Sequence, residues 1–215
     1  MPLFKTIPFS ATTKILVWKI SESYEELFGT ISLNEKNSIR LASMKSQVHQ
    51  RAFLSVRKLL QLAGYSDFDL YYDDLGKPHL KDGKFISITH SHDFSAIIIS
   101  SEIVGIDIEL QRDKIIKIAN KFCNAEFQYL NPSEQQEFIR KLTIIWGAKE
   151  AIFKIRNEKG ISFKNHIIVR SFDLKSKETI AELHFDNLIK EFKIYFEEFQ
   201  GFGLVYAFSA ATRNI

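Results

Sequence analysis

The sequence predicts an α+β protein whose halves each combine a helical part with several mostly antiparallel strands. Three observations carry this. Helical periodicity occupies two stretches, at about 34–63 and 113–157, and runs of β-branched and aromatic residues flank them. No linker, low-complexity tract or convincing internal repeat interrupts the 215 residues.

The elements follow in order. KILVWKI at 14–20 reads as a strand. The first helical stretch runs from Asn34 to Ala63 and stops at Gly64. It carries Lys36, Arg40, Lys45, Arg51, Arg57 and Lys58 against Glu35 alone. FDLYY at 68–72 reads as a strand, and DDLGKPHLKDGK after it as loop. FISITH at 85–90 is a further strand, and 94–110 is expected to form a hairpin turning at SSE. Helical material resumes at Asp113 and breaks at Asn131-Pro132-Ser133. Ser133, followed three positions on by Gln136, predicts a capping box. The helix after it should run to about Asn157 and bury Phe138, Leu142, Ile145, Ile152 and Ile155. Beyond Gly160, strands are expected at 166–169, 179–185, 192–196 and 204–208.

Composition excludes several classes. Hydrophobic residues make up 45% of the chain and aromatic residues 13%, which argues against disorder. Nineteen phenylalanines against two methionines predict a core of packed rings. Cys123, the single cysteine, cannot form an internal disulfide, so a reducing compartment is expected. No apolar run approaches the roughly 20 residues of a membrane span, and MPLFKTIPFS lacks a signal-peptide layout. A cytoplasmic protein is expected. The net charge of +3 is mild and suits an acidic ligand or acidic partner.

The segment Val104-Gly105-Ile106-Asp107-Ile108-Glu109-Leu110 carries the clearest chemistry. Strand alternation sends Val104, Ile106, Ile108 and Leu110 into the core and Gly105, Asp107 and Glu109 to the other face. Two carboxylates roughly 7 Å apart on one face can share a hard cation. Gly105 would leave open space beside them. The bland alternative is a strand with acidic residues facing water.

In Trp146-Gly147-Ala148-Lys149-Glu150-Ala151-Ile152-Phe153-Lys154, Glu150 and Lys154 share a helix face. Alone they would read as a surface ion pair, and Trp146 as core. Gly76-Lys77-Pro78-His79 lies in a loop, and Ile88-Thr89-His90-Ser91 closes a strand. Ser91, His90 and Asp107 raise the idea of a hydrolase triad, but no nucleophile-elbow pattern surrounds Ser91.

The order GKP, THS, VGIDIE and WGAKEAIFK resembles the 4′-phosphopantetheinyl transferase superfamily, in its longer monomeric form exemplified by the surfactin-synthetase activator. The resemblance implies two similar α+β halves in a pseudo-twofold arrangement, each a small antiparallel sheet packed with a long helix. Residues 1–102 would take the nucleotide side of coenzyme A, and 103–215 would be the metal and catalytic side. It implies that Asp107, Glu109 and Glu150 hold Mg²⁺, with Mn²⁺ a possible substitute, and that Lys154 contacts the phosphates. Lys77, Pro78, Thr89 and His90 would line the nucleotide end, with His90 also meeting a phosphate, and Arg51 would lie near the 3′-phosphate. Thr89 stands where the family usually has Ser. Lys36 and Arg40 are further candidates for the 3′-phosphate.

The implied reaction moves 4′-phosphopantetheine from coenzyme A to a serine of an apo acyl or peptidyl carrier protein, with no nucleic acid or membrane involved. Glu150, Lys154 and His90 would be catalytic, with Glu150 either base, metal ligand or both. Competing readings are a metal-dependent phosphodiesterase, a nucleic-acid-binding module using the basic helix, and a member that only binds coenzyme A.

Overall fold

The computed structural model describes residues 3–214, with side chains to residue 210. The chain divides into two compact units, 1–102 and 103–215. Each carries an antiparallel sheet and one long helix, the α+β architecture expected.

The N-terminal unit contains β1 (Leu3–Ser10), β2 (Thr13–Lys19), α1 (Tyr24–Phe28), α2 (Glu35–Ser43), α3 (Gln47–Ala63), β3 (Leu70–Tyr72), β4 (Pro78–Leu80), β5 (Phe85–Ser91) and β6 (Phe94–Ser100). The sheet order is β1-β2-β6-β5, and β3 pairs with β4 separately. Leu16, Trp18, Ile97 and Ile99 on one sheet face pack with Leu54, Leu59 and Leu60 of α3. Gly64 closes α3 in the left-handed conformation, as its position predicts.

Three local expectations fail here for physical reasons, and one strand was not anticipated. The single helix 34–63 is two, because Met44 turns extended and Ser46 starts α3. β1 is a strand despite Pro8, which an edge strand tolerates. Part of the loop at 73–84 forms β4, paired with β3. Residues 94–110 are not a hairpin. His92, at φ 51°, closes the tight turn between β5 and β6, so β6 is consumed by β5 and β2.

The C-terminal unit contains β7 (Val104–Leu110), α4 (Lys114–Ile118), two 3₁₀ turns at 119–121 and 125–128, α5 (Gln135–Arg156), β8 (Ile167–Val169), β9 (Glu178–Phe185), β10 (Leu188–Phe199) and β11 (Phe202–Asn214). The sheet order is β7-β11-β10-β9-β8. The expected core residues of α5 are all buried against this sheet. Ser133 forms no cap: α5 follows Glu134, while the Asn131 side chain accepts from Ser133 N and donates to Glu134. The Asn131 turn takes the Ser133 N–H that a capping box would have paired with the Gln136 side chain.

Along β7, Gly105, Asp107 and Glu109 alternate on one face, but that face is not open. It lies under α5. A β-carbon at Gly105 would stand 2.1 Å from the Ala151 carbonyl oxygen, and one at Gly147 would stand 2.7 Å from Val205 Cγ2. Val205 is opposite Asp107 in the β7–β11 register, so α5 rests directly on the acidic face. The residues expected to form the core, Val104, Ile106 and Ile108, are buried on the opposite face. Gly105 therefore admits a helix backbone, not a ligand.

At β8, the backbone of Val169 is engaged by side chains. Its N–H donates to Glu126 Oε1 at 3.0 Å, and its carbonyl accepts from Tyr129 Oη at 2.9 Å.

Gly105→Ala should destabilise the chain by about 1–3 kcal/mol or more, because packed backbone cannot yield to a methyl group. Urea denaturation tests this, and an unchanged midpoint would contradict the close approach.

Candidate active site

Four predicted residues meet where α5 crosses β7. Asp107, 5% exposed, accepts a hydrogen bond from Lys154 Nζ on Oδ1 at 2.7 Å. Lys154 also donates to the Ile106 carbonyl at 2.9 Å. The partner of Lys154 is thus a buried carboxylate of the strand, and not Glu150 as the reading of a simple surface pair would have it. Glu109 accepts from Trp146 Nε1 at 3.3 Å.

Glu150 sits one turn before Lys154 on α5. Burial pushes its carboxyl up to about 7, the charges of Asp107 and Glu109 push the same way, and Lys154 opposes them. The three carboxylates therefore lie close enough to repel one another in a poorly solvated place.

A hard divalent cation is the natural counter-ion for such oxygen donors. As placed, no group of three or more His, Cys, Asp or Glu side chains among the described residues is set to hold a metal ion. Lys154 neutralises Asp107 and Trp146 engages Glu109. The set fits a divalent cation in charge and donor chemistry.

The other predicted residues belong to the N-terminal unit. Arg51 Nη1 donates to the Glu22 carbonyl at 3.3 Å. Lys77 and Pro78 enter β4 from a turn organised by Asp73, whose Oδ1 accepts from Leu75 N and Lys77 N. Asp73 Oδ2 faces His79 Nε2 at 2.9 Å, and this contact holds the Asp73 carboxyl below its usual range. Thr89 is buried at the end of β5 and His90 beside it is exposed. Lys36 is exposed, and Arg40 lies over the Tyr72 ring at 5.3 Å. Ser91 Oγ pairs with His92 Nδ1 at 3.2 Å, which gives the hydrolase triad no support.

The nucleic-acid reading of the basic helix also weakens. Arg57 is buried on Asp67 at 3.0 Å, and Asp67 further accepts from Asn34 N and Asn37 Nδ2. Arg57 is spent inside the unit and contributes nothing to a basic surface.

Sequence reading missed Lys149, which is fully buried. Its Nζ pairs with Glu126 Oε1 at 2.6 Å and donates to the carbonyls of Phe122, Phe163 and Ile167 at 2.6, 2.9 and 2.7 Å. Desolvation lowers its pKa, against the opposing charge of Glu126. The signal was present: Lys149 falls four after Ile145 and three before Ile152, in the middle of the apolar stripe.

The chain is thus an α+β protein of two sheet-and-helix units, one carrying a partly buried acidic cluster with a paired lysine. Residues 103–207, within the C-terminal unit, match the family model described as the 4′-phosphopantetheinyl transferase superfamily. The chain is also similar to the 4′-phosphopantetheinyl transferase gsp of Aneurinibacillus migulanus, at 28% identity over 154 residues. That match takes in 69% of this chain and 63% of the length of the relative.

Lys154→Ala should cost about 1–3 kcal/mol, because it strips a buried carboxylate of its charged donor. A surface pair would cost less than about 1 kcal/mol. Glu126→Gln should cost about 3–5 kcal/mol by leaving the Lys149 charge without its counter-ion. Denaturant midpoints measure both, and wild-type values would refute the assigned pairings.

Proposed function

We propose that this chain transfers the 4′-phosphopantetheine group of coenzyme A to a serine hydroxyl of an apo acyl or peptidyl carrier protein, releasing 3′,5′-ADP. The observation that carries the reading is the meeting of Asp107, Glu109, Glu150 and Lys154 at the β7–α5 crossing. The superfamily match spans all four residues, and the relative's name is consistent with the reaction. No helix among the described residues is long and apolar enough to cross a membrane. We take the cytoplasm as the site of action and a monomer as the working state.

In this reading the serine oxygen attacks the phosphorus that bears the pantetheine arm. The bond from that phosphorus to the bridging oxygen breaks, and the electron pair leaves with 3′,5′-ADP. Glu150 accepts the serine proton, which its position beside the acidic strand and its poor solvation favour. Lys154 turns its charge toward the phosphate oxygens, as a donor already held at the site by Asp107 and the Ile106 carbonyl. Asp107, Glu109 and Glu150 would hold Mg²⁺, which supplies charge neutralisation at the pyrophosphate when bound.

In the N-terminal unit, His90 would donate to a phosphate. Lys77, Pro78 and Thr89 would serve the nucleotide. Arg51, with Lys36 and Arg40, would provide cationic groups for the 3′-phosphate.

Intact-mass analysis of an apo-carrier incubated with the protein, coenzyme A and Mg²⁺ tests the proposal. One phosphopantetheine per carrier is expected. Asp107→Ala should lower the rate at least about 100-fold, as expected for loss of an electrostatic group at the reacting phosphates. Free phosphopantetheine without a modified carrier would identify a phosphodiesterase instead. Full transfer in excess chelator would remove the metal from the scheme.

A further inference from the structure

Trp146 has the position of a core residue but carries a polar contact. It is only partly buried, its ring lies between two phenylalanines, and its N–H reaches Glu109. Phe122 meets it edge-on with centroids 5.1 Å apart, and Phe163 lies tilted at 5.5 Å. These two rings come from separate segments, one following the first 3₁₀ turn and one following α5.

Those same two residues are held through their backbones by Lys149. The three protons of one ammonium match three carbonyl acceptors, at Phe122, Phe163 and Ile167. Glu126 balances the charge. Lys149 lies three residues after Trp146 on α5, so the anchor and the ring it secures ride on one rigid element. A purely apolar side chain at 149 would fill the space without tying the two segments together.

We propose that Trp146 and Lys149 are positioning residues for Glu109. Lys149 fixes the two phenylalanines, they fix the indole, and the indole N–H fixes the carboxylate. This inference rests on the proposed role of Glu109 as a metal-holding group. Partners that orient metal-binding carboxylates typically change metal affinity by about 10–100-fold when lost. A Trp146 that served packing alone would leave metal affinity unmoved when replaced by another ring.

The test uses the full chain without coenzyme A and measures Mn²⁺ binding by electron paramagnetic resonance, beside melting curves. Trp146→Phe keeps a ring between Phe122 and Phe163 but removes the donor. It should melt close to the wild type and bind Mn²⁺ about tenfold or more weakly. Trp18→Phe, the loss of the other tryptophan, should bind Mn²⁺ as the wild type does.

In the Trp18→Phe background, Lys149→Met and Phe163→Leu should each shift the Trp146 emission to longer wavelength and weaken Mn²⁺ binding. The second variant serves if the first does not fold. Normal Mn²⁺ binding by Trp146→Phe, with binding intact in the wild type, overturns the inference and leaves the proposed transfer reaction standing. No Mn²⁺ uptake by the wild type overturns the metal assignment and this inference together. Unchanged emission and binding in the folded anchor variants overturns the role of Lys149.

Discussion

The contact on which the C-terminal unit depends is the seating of α5 on β7 and β11 at backbone distance. Gly105 leaves room for the Ala151 carbonyl, and Gly147 leaves room for Val205. With side chains in those places the helix would ride higher on the sheet. Lys154 could then not reach both Asp107 and the Ile106 carbonyl, and Glu150 would escape the desolvation that raises it. The electrostatics of the site thus follow from a packing condition. Two residues without side chains set the distance at which charged side chains interact.

Both units stabilise their irregular segments with a buried cation. In the N-terminal unit, Arg57 on Asp67 ties α3 to the 66–69 turn, while Asn34 and Asn37 tie the start of α2 to the same carboxylate. In the C-terminal unit, Lys149 draws together the 122 and 163–167 segments. Neither pair is a cheap way to gain stability, because desolvating two charges offsets much of their attraction. What such a cation provides is direction. Backbone carbonyls of loops have no neighbouring strand or helix to satisfy them, and a rigidly placed donor selects one loop arrangement.

Much of this was readable from the sequence, and the failures have a common cause. The period of Phe138, Leu142, Ile145 and Ile152 identified α5, and the alternation of Gly105, Asp107 and Glu109 put the right residues on one face. Periodicity says which residues share a face; it does not say what covers that face. Gly105 was therefore expected to open onto a ligand, when a helix lies there. The same limit hid Lys149, whose place in the apolar stripe was visible but whose carbonyl partners come from distant segments. The 94–110 hairpin failed because β2 and β5 take both edges of β6, which local pattern cannot reveal. The turn falls at His92, whose left-handed backbone closes β5 onto β6.

The end of the C-terminal sheet at β8 has a consequence beyond the site. An uncovered final strand offers its amides and carbonyls as a template for any extended chain that drifts past. Here Glu126 and Tyr129 occupy the outward N–H and C=O of Val169 in a strand only three residues long. The carboxylate that balances Lys149 therefore also acts as a stopper. It keeps the sheet from growing by recruitment, so a lesion at Glu126 would loosen the fold and at the same time expose a seed for self-association.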